Sequence, residues 1–147
     1  METVPIGKVL VSARIENLDD IFSVNKGLKK PDEVRSIDVP EALVDTGAFG
    51  LLLPERMIDS LGLDVLNERN AMTANAPVSL KTYRGVRLSV QGRDCILDVT
   101  AIRDDCPVLI GQLPLEMMDW VVDPKRQRLI GNPDHGGEHI LEVFAGA

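Results

Sequence analysis

The chain is poor in aromatics. One Trp, one Tyr and three Phe make up 3% of its 147 residues. Its core must therefore be filled mostly by Val, Leu and Ile. Cysteine is scarce as well. Cys95 and Cys106 show no CxxC spacing, which argues against a thiolate metal knuckle or a disulfide scaffold. Two reduced thiols are expected. Basic charge is in short supply: 16 Lys and Arg stand against 23 Asp and Glu, a net charge of -7 at pH 7. That balance argues against nucleic acid or an anionic membrane surface as a partner. No apolar run approaches the roughly 20 residues that span a bilayer. The opening "METVPIGKVLVSARIEN" has neither a basic leader nor an apolar h-region. No signal peptide is expected, and a cytoplasmic location is.

At 44% hydrophobic and 27% charged, the chain reads as globular. Its length suits one domain, residues 1–147. Val9, Val11, Ala13 and Ile15 alternate as in a strand, as do Val86, Leu88 and Val90. Gln91-Gly92-Arg93 reads as the turn of a second hairpin. Pro54 and Gly62 bracket a short helix with Met57, Ile58 and Leu61 on its buried stripe. A second helix is expected after Gly111, holding Leu115, Met118 and Trp120. "VVDPKRQRLI" reads as strand, Asp-Pro turn, strand. A charged loop insertion is expected near 19–36, with Lys26, Lys29 and Lys30 on a solvated face. A tail begins at about 131, Gly-rich and then apolar at Ile140, Leu141, Val143 and Phe144. The predicted class is mainly β with one or two short helices.

The most informative stretch is "ALVDTGAFGLLLP", residues 42–54. Asp45 interrupts an apolar strand, and a buried carboxylate needs a partner. Gly47 allows a sharp turn, and the Thr46 hydroxyl can pin it. The turn would hold Asp45 rigidly at a strand end, facing a cleft. Further on, "PVLIGQLPLEM" runs apolar into Gly111. That layout lets a strand pass closely against another turn.

Together these stretches resemble the retropepsin-like aspartic proteases, the family of retroviral protease. "LVDTGA" is similar to the catalytic signature of that family. "VLIGQLPLEMM" resembles its later apolar-apolar-Gly element and helix, and "VDPKRQRLI" the strand pair beyond. The resemblance implies an all-β, closed retropepsin-like acid protease barrel. It also implies an aspartic endopeptidase acting on peptide or protein substrates without a cofactor. Two carboxylates would bracket one water, one as general base and the other protonated against the scissile carbonyl. Two such charges about 3 Å apart repel by roughly 5 kcal/mol at an effective dielectric near 20, so the pair keeps one proton. The chain holds a single Asp-Thr-Gly. The second carboxylate is therefore expected from Asp45 of another copy across a homodimer axis. The resemblance gives Thr46 a hydrogen bond across that axis, and Gly47 and Ala48 the cleft-lining turn.

By position, the family's flap falls between about Met72 and Tyr83, with Ala74, Asn75 and Ala76 at its tip. This stretch has no Gly, and Pro77 stiffens it. "HILEVF" can supply a strand to an intersubunit sheet. His135 and His139 flank Glu138 in the reverse of the HExxH order, and the Gly pair opposes a helix, so no metal is expected. The rival reading is a non-catalytic homodimeric module that binds peptide on the same fold. A monomer with an inert Asp45 is the third.

Overall fold

The alternation of Val9, Val11, Ala13 and Ile15 becomes strand β1 (Val9–Asn17) in the computed structural model, which describes residues 8–143. All four side chains are buried. β1 runs antiparallel to β2 (Ser36–Val44) through most of its length, with a bulge between Val11 and Ala13. Its far end also pairs with β5 (Pro77–Val90), Ile15 lying against Leu88. That second pairing closes the sheet. β3 (Leu51–Pro54), β6 (Arg93–Ile102) and β7 (Leu109–Ile110) complete a ring in the order β1-β2-β7-β3-β6-β5. β4 (Val65–Met72) adds to β5 outside the ring. β8 (Trp120–Asp123) and β9 (Arg128–Gly131) form a separate ribbon. The ring is the closed all-β barrel expected from the sequence.

Closure leaves few edges and buries an almost wholly aliphatic core. Leu51, Leu53, Val86, Leu88, Val90, Val99 and Ile110 all point inward. The hairpin turn falls at Gln91-Gly92, both at positive φ as the tight primed turns require. Cys95 and Cys106 are unpaired. Burial pushes the Cys95 thiol up to about 11.

Among the described residues three α-helices form, against an expectation of one or two. α2 (Glu55–Leu61) lies where predicted, burying Ile58 and Leu61, and Gly62 ends it in the left-handed conformation. α3 (Gln112–Met117) stops earlier than expected. Asp119 turns the chain at φ 57°, and Trp120 opens β8 rather than continuing the helix. The additional helix is α1 (Leu18–Asn25), within the predicted charged loop. Its apolar stripe is too thin to read, and its stability comes from caps. The Asn17 side chain accepts from Asp20 N–H (3.0 Å) and donates to the Leu61 carbonyl (2.8 Å). The tail forms no strand between 139 and 143, and Phe144 lies outside the described residues.

Asp20 explains why residues 19–36 hold their place. It is 1% exposed, and its carboxylate accepts from Arg35 Nε (2.8 Å), Nη2 (3.0 Å) and backbone N–H (3.0 Å). Lys29 Nζ adds a fourth bond at 2.6 Å, so it is a partner of a buried acid and not part of a solvated face. The bonds from Arg35 outweigh the cost of burial and, with Lys29, hold this carboxyl well below the usual carboxylate range. Its contribution to stability is complete above the unfolded carboxyl value. It is lost as pH falls towards the folded one. Arg35→Met should therefore lower stability by about 3 kcal/mol at pH 7, measured by urea unfolding. The deficit should narrow below about pH 4, where unfolded wild-type chains also bind the proton.

Candidate functional site

The Asp45 turn is built from both flanks by one short strand. β7 pairs in parallel with the end of β2 (Leu43 with Leu109, Val44 with Ile110). It pairs antiparallel with the start of β3 (Leu51 with Ile110, Leu52 with Leu109). The loop 45–50 is thus held at its base by two ladders. Asp45 N–H continues the first by donating to the Ile110 carbonyl (2.9 Å). Within the loop, Ala48 N–H closes on the Asp45 carbonyl (3.0 Å). Gly47 N–H donates to Asp45 Oδ1 (2.9 Å), which fixes the carboxylate rotamer.

Gly47 does not adopt positive φ, so its place here is a matter of space. A Cβ at this position would lie 3.2 Å from Asp45 Oδ1. Asp45 is half-buried, whereas Thr46 and Gly47 are exposed. Among the described residues, the Gly47 bond is the one hydrogen bond the carboxylate receives. Its second oxygen accepts no hydrogen bond among the described residues.

The "VLIG" element locks onto this loop as its layout predicts. Gly111 N–H donates to the Gly50 carbonyl (2.8 Å), Gln112 N–H to Ala48 (2.9 Å) and Leu113 N–H to Phe49 (2.8 Å). These are orphan donors at the start of α3, and the loop supplies their acceptors. Gly111 makes the approach possible. A Cβ there would sit 2.5 Å from the Gly50 carbonyl oxygen and 2.6 Å from that of Ala48.

Residues 65–90 form the hairpin expected near Met72 to Tyr83, with Ala74, Asn75 and Ala76 at its tip. Met72 pairs with Pro77, and Thr73 closes the turn. Its hydroxyl donates to the Ala76 carbonyl (2.6 Å) and accepts from the Ala76 N–H (3.1 Å). A bulge between Tyr83 and Val86 separates the projecting half of β5 from the half that walls the core. Val78 and Leu80, on one face of the hairpin, line a cavity of about 610 Å³ with Ala101, Ile102, Cys106 and Glu55. The apolar face of the hairpin shows in the sequence as the alternation of "VSLKT". Phe49, which is 76% exposed on the site loop, has no such signal.

A sequence profile of the family described as "Aspartyl protease" matches residues 33–131, about two thirds of the chain. The chain belongs to the aspartyl protease family. No curated protein matches it. Among solved structures 223 chains match. One is the solution structure of Simian Foamy Virus (mac) protease, with a TM-score of 0.47 and 18% identity over 72% of this chain and 90% of that one.

The aspartyl protease span holds the Asp45 loop, the hairpin and α3, and leaves out β1, α1 and the tail. Its centre is the clasp between loop and helix. Gly111→Ala should cost about 3 kcal/mol in urea unfolding, because backbone must move to admit the methyl group. Gly50→Ala meets open space and should change stability by less than about 0.5 kcal/mol.

Proposed function

We propose that this aspartyl protease is an endopeptidase whose centre is completed by two copies of the chain. Asp45 supplies one carboxylate and its counterpart in a second copy the other. The observation that carries this reading is the single Asp-Thr-Gly loop, with a carboxylate fixed on one side by Gly47 and open on the other. A lone acid so placed can polarise a water but cannot also donate to the carbonyl. Two acids sharing one proton do both. The ionised member takes a proton as the water oxygen adds to the scissile carbonyl carbon. The protonated member donates to the carbonyl oxygen. Collapse of the tetrahedral intermediate breaks the C–N bond, and the leaving nitrogen takes up the proton. In this arrangement Thr46 hydrogen-bonds across the two-fold axis, and the backbone of Gly47 and Ala48 lines the cleft. The tip at Ala74, Asn75 and Ala76 acts as the flap over an extended peptide. No metal or cofactor has a part.

The pinned tip favours a second reading. Thr73 and Pro77 brace a turn without glycine, which suits a homodimeric module that holds peptide without cutting it. A broad peptide-library assay across acid to neutral pH separates the two. Under the favoured reading, specific activity rises with protein concentration through the dimerisation range. Asp45→Asn lowers cleavage by about 1,000-fold or more while the variant stays folded. A folded Asp45→Asn protein that still cleaves would overturn the proposal. Absence of cleavage by a wild-type dimer would leave the binding module in its place.

A further inference from the structure

The tail is not simply loose chain. Residues 138–143 cross α3, where His139, Leu141 and Val143 border a groove of about 510 Å³ floored by Cys95, Leu113 and Met117. His139 Nε2 lies 3.2 Å from the Met117 carbonyl of α3, and beyond that single contact a chain of three side chains holds the tail there. Asp119 is 7% exposed, at the junction of α3 and β8. Its Oδ2 accepts from the Ile140 N–H (3.1 Å) and lies 2.7 Å from His135 Nδ1. Its Oδ1 accepts from Asn132 Nδ2 (3.3 Å). The other ring nitrogen, His135 Nε2, lies 3.2 Å from Glu142 Oε1 in the tail.

Both ring nitrogens therefore face a carboxylate oxygen. A neutral imidazole carries one N–H and can serve only one of them. The imidazolium serves both. When the ring is neutral, the buried Asp119 retains the donor and a nitrogen lone pair is left against Glu142.

The surroundings favour the charged ring. Glu116 of α3 and Asp134 share the cavity with Asp119 and Glu142, and Asp94 of β6 borders the tail groove. Arg93 is the cation nearby. Its guanidinium is spent on the carbonyls of Met118 (3.1 Å), Asp119 (2.8 Å) and Gly137 (2.6 Å), and stacks on Trp120 at 4.0 Å. The bond to Asp119, helped by Glu142, holds the His135 ring above the usual histidine range against its partial burial.

We propose that His135 is a latch. Its imidazolium bridges Asp119 and Glu142 and clamps residues 138–143 across α3. Loss of the proton releases the Glu142 end of the clamp and loosens the tail over Cys95, Leu113 and Met117. The clamp is complete below the ordinary histidine value and is lost as pH rises through the raised one. It stands whether or not the chain cleaves peptides, since nothing in it involves Asp45.

The test is hydrogen exchange of the Ile140 amide in the full chain, corrected for intrinsic base catalysis, alongside the NMR titration of His135. Between pH 6 and pH 9, Ile140 protection should fall about tenfold, while the core amide of Val99 stays protected. His135→Asn should expose Ile140 at every pH. Glu142→Gln changes a side chain that is 76% exposed, so folding is not at stake. It should move the His135 midpoint downward. Protection that stays flat from pH 6 to 9, a His135→Asn protein as protected as wild type at pH 6, or an unmoved midpoint in Glu142→Gln would each overturn the latch.

Discussion

Everything at the site depends on one backbone clasp. The loop after β2 has carbonyls without a ladder, and the first turn of α3 has N–H groups without partners. Each satisfies the other, at Gly50, Ala48 and Phe49 on one side and Gly111, Gln112 and Leu113 on the other. Burying either set unpaired costs several kcal/mol, so the two motifs are obliged to meet. Asp45 inherits its position from that obligation. Its carboxylate is oriented by a neighbouring backbone N–H and not by a charged side chain. Among the described residues its other oxygen accepts no hydrogen bond.

The barrel keeps the clasp rigid. β7 is only two residues long, yet it bonds to β2 on one side and β3 on the other. Such a short strand holds its register because both neighbours belong to a closed ring and Ile110 is fully buried. The same closure lets β5 serve two purposes. Beyond its bulge it is core wall, and before it the strand projects as an exposed hairpin carrying Val78 and Leu80. The projecting half is anchored by the buried half, which allows an exposed apolar hairpin to exist at all.

What the sequence made legible follows from periodicity. Val9 to Ile15 and Val86 to Val90 alternate cleanly because one face of each strand looks into the barrel, and both are strands as that pattern predicts. The strand-Gly-helix sequence around Gly111 is equally plain, since Gly breaks an apolar run visibly. The rest was hidden for physical reasons. α1 fully buries no apolar side chain; its one local signal is the Asn17 cap, and the Asp20 cluster that holds it draws on Lys29 and Arg35 farther along the chain. The end of α3 depends on Asp119 entering the left-handed region, which a non-glycine residue does not announce. Trp120 fits either a helix or a strand by its own propensity, and its place was set by the ribbon with β9. At the site, Asp-Thr-Gly was plain. Its dependence on three carbonyls of the loop was not, because backbone acceptors have no letter in the sequence.

The family signature begins at residue 33, after β1 has already been made. Yet β1 is the stave that joins β2 to β5 and turns an open sheet into a cylinder. The portion of the chain that carries the hereditary mark is consequently not the portion that can stand alone. Cut to that stretch, it would present two raw seams, at β2 and β5, and spill the packing of Val9, Val11 and Ile15. Any substitute for Val9–Asn17 would have to zip both seams shut.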